Sequence, residues 1–177
     1  MQLRSEPAAL VEAHLTGPVA AQPYVQHVEY DPELCRWYLR FTCEGRDAST
    51  IYFDLGQRSL RYELYFMPEP PAHHTELYRW LLRRNHHGLY NARFSLGPDG
   101  DVYIVGRVLY EHLDEAELDR VIGVCYECVE TWFQPAIAIG FGRRGDTPGL
   151  PDPERAPAGD DRRSVIRKSL AGQGDAG

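Results

Sequence analysis

Between Cys35 and Cys43 the stretch "CRWYLRFTC" sets Cys35, Trp37, Leu39, Phe41 and Cys43 on one face of an extended chain and Arg36, Tyr38, Arg40 and Thr42 on the other. Successive side chains of a strand point to opposite sides, so this period of two predicts a strand with one buried face. The pattern recurs twice. "EGRDA" turns the chain into "STIYFDL", with Ile51, Phe53 and Leu55 in phase. "GQRS" turns it into "LRYELYFM", where Leu60, Tyr62, Leu64 and Phe66 alternate with Arg61, Glu63 and Tyr65. Three such runs joined by short polar turns predict an antiparallel meander, covered on one face and wet on the other.

The flanking segments supply the cover. "SEPAALVEAHLT" reads as a short helix capped by Ser5 and stopped by Gly17-Pro18. "YVQHVEYD" adds a weaker strand with Tyr24, Gln26, Val28 and Tyr30 in phase. From Thr75 to about His86 a helical stripe of Leu77, Trp80, Leu81 and Arg84 appears, with Tyr78 and Leu82 beside it, and Gly88 ends it. "LYNARFSL" and "VYIVGRVL" form a hairpin around Asp99-Gly100. Asp114 is placed to cap a last helix, "EAELDRVIGVCYECVETWF". The expected class is α+β, an antiparallel sheet with helices packed against it, in the order α-β-β-β-β-α-β-β-α. Residues 1–141 form one domain. Residues 142–177, rich in Gly, Pro, Arg and Asp without apolar periodicity, read as a disordered tail. Within that tail "RRSVIRKSL" is a short basic amphipathic run.

Composition narrows the partners. A formal net charge of -7 opposes generic binding of nucleic acid. No run approaches the roughly 20 apolar residues of a membrane span, and "MQLRSEPAALVEAHL" lacks the basic-then-apolar order of a signal peptide, so a cytoplasmic location is expected, with no membrane partner. Lys168 is the sole lysine among 19 basic residues, a bias that points to a bacterium with a GC-rich genome.

Four cysteines are too few for a secreted disulfide scaffold and read as thiols. Cys125 and Cys128 form a C-x-x-C, which raises a thiol- or metal-responsive sensor as the alternative function. On a helical wheel, however, both lie in one apolar arc with Leu118, Val121, Ile122, Val129, Trp132 and Phe133, while Glu117, Asp119, Arg120, Glu127 and Glu130 fall outside it. The pair sits about three turns into the helix, away from the N-terminal N–H groups that lower a thiol's pKa. Cys35 and Cys43, eight residues apart on one strand, are separated by ~26 Å and cannot share one zinc ion unless the strand folds back, which leaves one of them with Cys125, Cys128 and a histidine as the remaining ligand set. His73-His74 and His86-His87 flank a helix where capping and dipole interactions account for them. Nucleophile-elbow and phosphate-loop motifs are absent, and "GFGRRG" follows a helix rather than a strand. The reading is a non-enzymatic domain with no cofactor and no catalytic residues.

The segment from Leu77 to Phe133, with "LLRRNHH", "ARFSL", "PDGD" and "LDEAELDRVIGVC" in that order, resembles the YbjN family of bacterial sensory-transduction-regulator-like proteins, which are similar in fold to type III secretion chaperones. The resemblance implies an antiparallel sheet covered by helices, no catalytic residues, dimerisation and the binding of extended client segments. The chain has four strands before the second helix where the chaperone pattern has three. Together these readings predict a protein-binding domain, chaperone-like or regulatory, acting as a homodimer on a protein client. Tyr38, Tyr52 and Tyr65, aromatics on polar strand faces, are the expected binding residues, because tyrosine supplies contact area with a polar handle. Trp132 and Phe133 are the expected anchors of a dimer interface.

Overall fold

The computed structural model describes residues 6–142. The chain runs α1 (Glu6–His14), β1 (Val25–Asp31), β2 (Arg36–Cys43), β3 (Arg46–Leu55), β4 (Ser59–Met67), α2 (His74–His86), β5 (Ala92–Leu96), β6 (Val102–Leu109) and α3 (Glu115–Phe141). The six strands form one sheet in the order β1-β2-β3-β4-β6-β5, antiparallel at every neighbouring pair. This is the expected α+β class and element order. The proposed tail falls almost wholly outside the described residues.

The period-two pattern determines which face is covered. Trp37, Leu39 and Phe41 of β2, Ile51 and Phe53 of β3, and Leu60, Tyr62, Leu64 and Phe66 of β4 are all buried. The helix α3 meets them with Leu118, Val121, Ile122, Cys125, Cys128 and Val129, and α2 adds Leu77, Trp80 and Leu81. Full burial of each large apolar side chain is worth about 1.5–3 kcal/mol, so this seam between helix and sheet is the main source of stability. Asp114 caps α3 as expected, its carboxylate accepting from the Glu117 N–H at 2.7 Å.

Several local expectations differ from what forms. The helix does not stop at Gly17-Pro18: Leu15–Val19 continue as a π-turn in which the Ala20 N–H reaches the Leu15 carbonyl. Leu15 and Val19 are buried there, and anchoring them outweighs the loss of a donor at Pro18. The strand β2 begins at Arg36, so Cys35 is not on its apolar face. Asp31 accepts from the Glu33 and Leu34 N–H groups, the tight turn leaves Cys35 at φ 51, and its thiol is exposed. The β2–β3 turn is only Glu44-Gly45, so β3 starts at Arg46 rather than after "EGRDA". His73 stands at the start of α2 with φ 59, but its side chain makes no capping bond.

Two corrections concern α3. It runs eight residues past Phe133, through Pro135, because Ala136, Ile139 and Gly140 on the same stripe are buried against α2 and the end of β4. Glu117, placed outside the apolar arc by the wheel, is 5% exposed. Tyr90, from the loop after α2, folds over it and donates to its carboxylate at 2.7 Å, and Arg120 donates at 2.6 Å. A buried carboxylate is tolerated when charge-assisted hydrogen bonds surround it.

Candidate functional site

Strand register places the second set of side chains on the face away from the helices. Tyr38 lies directly opposite Tyr52 across β2 and β3, and Tyr65 directly opposite Tyr103 across β4 and β6. Tyr52 pairs with Glu63, two residues before Tyr65, so Tyr52 and Tyr65 are diagonal neighbours. The four rings make a diagonal band over four strands. Within each pair the rings meet edge to face, at 5.3 Å for Tyr38 and Tyr52 and at 5.6 Å for Tyr65 and Tyr103. Arg36 lies over the Tyr52 ring at 5.4 Å and Arg46 over the Tyr65 ring at 5.7 Å. All four tyrosines are half-buried, held by neighbours yet presenting a ring surface to solvent.

Three of the four were candidates from sequence alone; Tyr103 was not. Its signal was present in "VYIVGRVL", where it alternates with Val102 and Ile104, but its place beside Tyr65 depends on β6 pairing with β4 across an intervening helix and strand.

Trp132 and Phe133 are positioned differently. Both are half-buried on α3, and both touch the chain's own core. Trp132 packs on Phe94 at 6.0 Å between centroids, and Phe133 meets Phe66 edge to face at 5.8 Å. Arg46 links Phe133 to the tyrosine band. Its guanidinium sits 4.8 Å from the Phe133 ring and donates to the Tyr65 and Phe66 carbonyls at 3.1 and 2.9 Å. Burial pushes the pKa of this guanidinium below its ordinary value.

The cysteines do not converge. Cys125 and Cys128 are buried, Cys43 is half-buried, and Cys35 is exposed beyond the start of β2. Burial pushes the Cys125 thiol up to about 12 and raises Cys128 as well, the neighbouring Cys125 adding to the shift. Both shifts run opposite to what a nucleophilic thiolate needs. Among the described residues no three His, Cys, Asp or Glu side chains are placed to hold a metal ion. Titration of the native protein with a disulfide reagent is expected to label Cys35 promptly, Cys43 slowly, and Cys125 and Cys128 only after unfolding. Prompt labelling of all four would contradict this packing.

The free edge of β5 is closed by a side chain that sequence reading did not find. Asn85, in the last turn of α2, accepts from the Phe94 N–H at 2.8 Å and donates to the Phe94 carbonyl at 3.1 Å. Its amide thus takes the place of a neighbouring strand's peptide group, one way a sheet edge is kept from pairing with another chain. Asn85→Ala leaves both groups unpaired, an expected loss of about 1–3 kcal/mol in urea unfolding together with concentration-dependent association. An unchanged midpoint would mean that water replaces the amide without loss.

Among the described residues no helix is long and apolar enough to cross a membrane. No protein-family model matches the chain. In sequence it is 31% identical over 133 residues to the uncharacterized protein ML2442 of Mycobacterium leprae, a match covering 75% of this chain and 68% of that protein. It is 36% identical over 87 residues to the uncharacterized protein Rv0487 of Mycobacterium tuberculosis, covering 49% of this chain and 47% of that one. In structure it superposes on a chain of the ExsC-ExsE complex with a TM-score of 0.55 at 18% identity, covering 76% of this chain and 96% of that one. The type III secretion chaperone SycH of Yersinia pestis, solved in complex with a stable fragment of YscM2, gives 0.47 at 14% identity, over 70% and 96% of the two chains. The six-stranded antiparallel sheet and its helices have the fold of type III secretion chaperones. With the identity and coverage it shares with ML2442, the chain belongs to the family of that mycobacterial protein.

Proposed function

We propose that this chain is a non-enzymatic protein-binding domain, a chaperone-like or regulatory adaptor of the bacterial cytoplasm that receives an extended protein segment on its open sheet face. The observation that carries the reading is the diagonal band of Tyr38, Tyr52, Tyr65 and Tyr103 on the face that none of the described helices covers. Tyrosine is enriched at protein interfaces because a rigid ring gives contact area and its hydroxyl keeps a hydrogen bond, and here the rings are already held in edge-to-face pairs. The fold shared with ExsC, solved as a complex with ExsE, supports the protein-binding reading. The resemblance of Leu77–Phe133 to the YbjN family supports a regulatory setting.

The reading includes a homodimer. Two exposed leucines, Leu82 at 64% and Leu96 at 49%, flank an open groove of about 330 Å³ between α2 and β5 that Tyr78, Phe94 and Val102 also line. Exposed aliphatic side chains bordering one apolar groove favour a partner surface over solvent. Trp132 and Phe133 lie behind this groove through Phe94 and Phe66, and in this reading they brace the dimer interface rather than forming its outer surface.

Light scattering on the purified protein, with capture of partners from a bacterial lysate by wild type and by a Tyr52→Asp/Tyr65→Asp variant, tests both parts. The expected result is a dimer mass and a retained protein that the variant loses. A strict monomer from which nothing is retained overturns the proposal.

A further inference from the structure

One row of the open face has a charge order that its own folding does not explain. Register sets Asp31 opposite Arg36, Arg36 opposite Asp54, Asp54 opposite Arg61, and Arg61 opposite Arg107. The sign alternates from β1 to β4, and the alternation fails at β6. Arg36 occupies Asp54 fully, donating to its two carboxylate oxygens at 2.7 and 3.0 Å. Arg61 is left beside Asp54, already engaged, with Glu63 two residues along its own strand and another guanidinium directly opposite. Arg61 and Arg107 are exposed, and so is Arg93 of β5, which lies opposite Val105 in the next row. Among the described residues none of the three has a carboxylate within ion-pairing distance. Like charges directly opposite on a sheet oppose folding, so an acid at position 107 would serve the sheet better than the arginine present.

We propose that Arg61 and Arg107, which flank the tyrosine band beyond Glu63 and Val105, together with Arg93 at the end of that intervening row, form the carboxylate-binding part of the open face, and that the segment this face receives is an acidic stretch of extended protein chain. An extended segment with acids at alternate positions presents them all to one side. Each carboxylate accepts two parallel N–H bonds from a guanidinium, and docking one between Arg61 and Arg107 relieves their repulsion. The formal net charge of -7 on the chain weighs against a nucleic acid as the anion, since a long polyanion meets repulsion well beyond this patch, whereas a short acidic segment faces Glu63 alone within it. The inference rests on the protein-binding reading above and adds the chemistry of the partner.

The test compares wild type with Arg107→Glu and Arg61→Gln, using a synthetic peptide of alternating glutamate and serine. Its lysine counterpart, a single-stranded oligonucleotide and inorganic phosphate serve as the other arms. The expected result is that wild type binds the acidic peptide at low ionic strength and that each variant loses about tenfold or more in affinity. Arg107→Glu is also expected to unfold at a higher temperature, because its carboxylate faces Arg61 and restores the alternation, a gain that a merely structural Arg107 would not give. Equal affinity in wild type and both variants overturns the inference, as does an oligonucleotide or phosphate bound as tightly as the peptide. If wild type and Arg107→Glu retain the same proteins from a lysate, the acidic specification fails and the protein-binding reading stands. If wild type retains none, that broader reading fails too.

Discussion

Phe66→Ala is expected to lower the unfolding free energy by about 3–5 kcal/mol. Phe66 is fully buried on β4 and meets Phe94 of β5 at 5.0 Å and Phe133 of α3 at 5.8 Å, both edge to face. Phe94 in turn carries Trp132. Removing the central ring therefore leaves a cavity and also unseats two aromatic contacts worth about 0.5–1.5 kcal/mol each. The same residue's carbonyl receives Arg46, so the loosening should spread to the turn end of β3 and to the Tyr65 side of the open face. Urea unfolding followed by tryptophan fluorescence measures the loss. A change below 1 kcal/mol, as an order of magnitude for a surface site, would mean that Phe66 does not join these three elements.

Gly106→Ala is expected to cost about 3 kcal/mol, through overpacking and a broken hydrogen bond together. Gly106 on β6 stands opposite Tyr62 of β4, and the Tyr62 ring passes directly over it. The Tyr62 hydroxyl donates to the Asn91 carbonyl beyond, and a Cβ at position 106 would overlap the ring, the hydroxyl and that carbonyl. Glycine at this point in the strand is thus a matter of close approach rather than of backbone angle. Tyr62 is almost completely buried, so displacing its hydroxyl strands a polar group away from water. Thermal unfolding of Gly106→Ala in wild-type and Tyr62→Leu backgrounds forms a double-mutant cycle. The alanine should cost clearly less where the ring is absent. Equal costs in both backgrounds would place the strain elsewhere.

These two sites mark the limit of what the sequence discloses. The strands β2, β3 and β4 were legible because each carries a strict period of two, and the same alternation named Tyr38, Tyr52 and Tyr65 as residues of the wet face. It did not reveal that they line up. The band depends on register between strands, and its fourth member depends on β4 pairing with β6 although α2 and β5 intervene in the chain. The same long-range pairing puts Gly106 under Tyr62 and Arg107 opposite Arg61. Asn85 had no readable signal, since a polar residue in the last turn of a helix looks like solvent-facing surface.

Local patterning misled where a single residue overrode it. Alternation ran one step too far at Cys35 because the positive-φ turn held by Asp31 precedes the strand. The helical wheel placed Glu117 in solvent because a wheel sees one helix, and the cover comes from Tyr90 in another segment. The stripe of α3 reads only to Phe133, and the helix continues through Pro135, because one lost N–H counts for less than the burial of Ala136 and Ile139. By contrast, the C-x-x-C was read correctly as part of an apolar stripe, since its depth in the helix already argued against an activated thiol.

We propose that the open sheet face, rather than a catalytic pocket, is the working surface. The most direct test is capture of protein partners by wild type and by the folded Tyr52→Asp/Tyr65→Asp variant, with unchanged circular dichroism as the control. The expected result is a saturable partner held by wild type and lost by the variant. An identical set of captured proteins on both would contradict it.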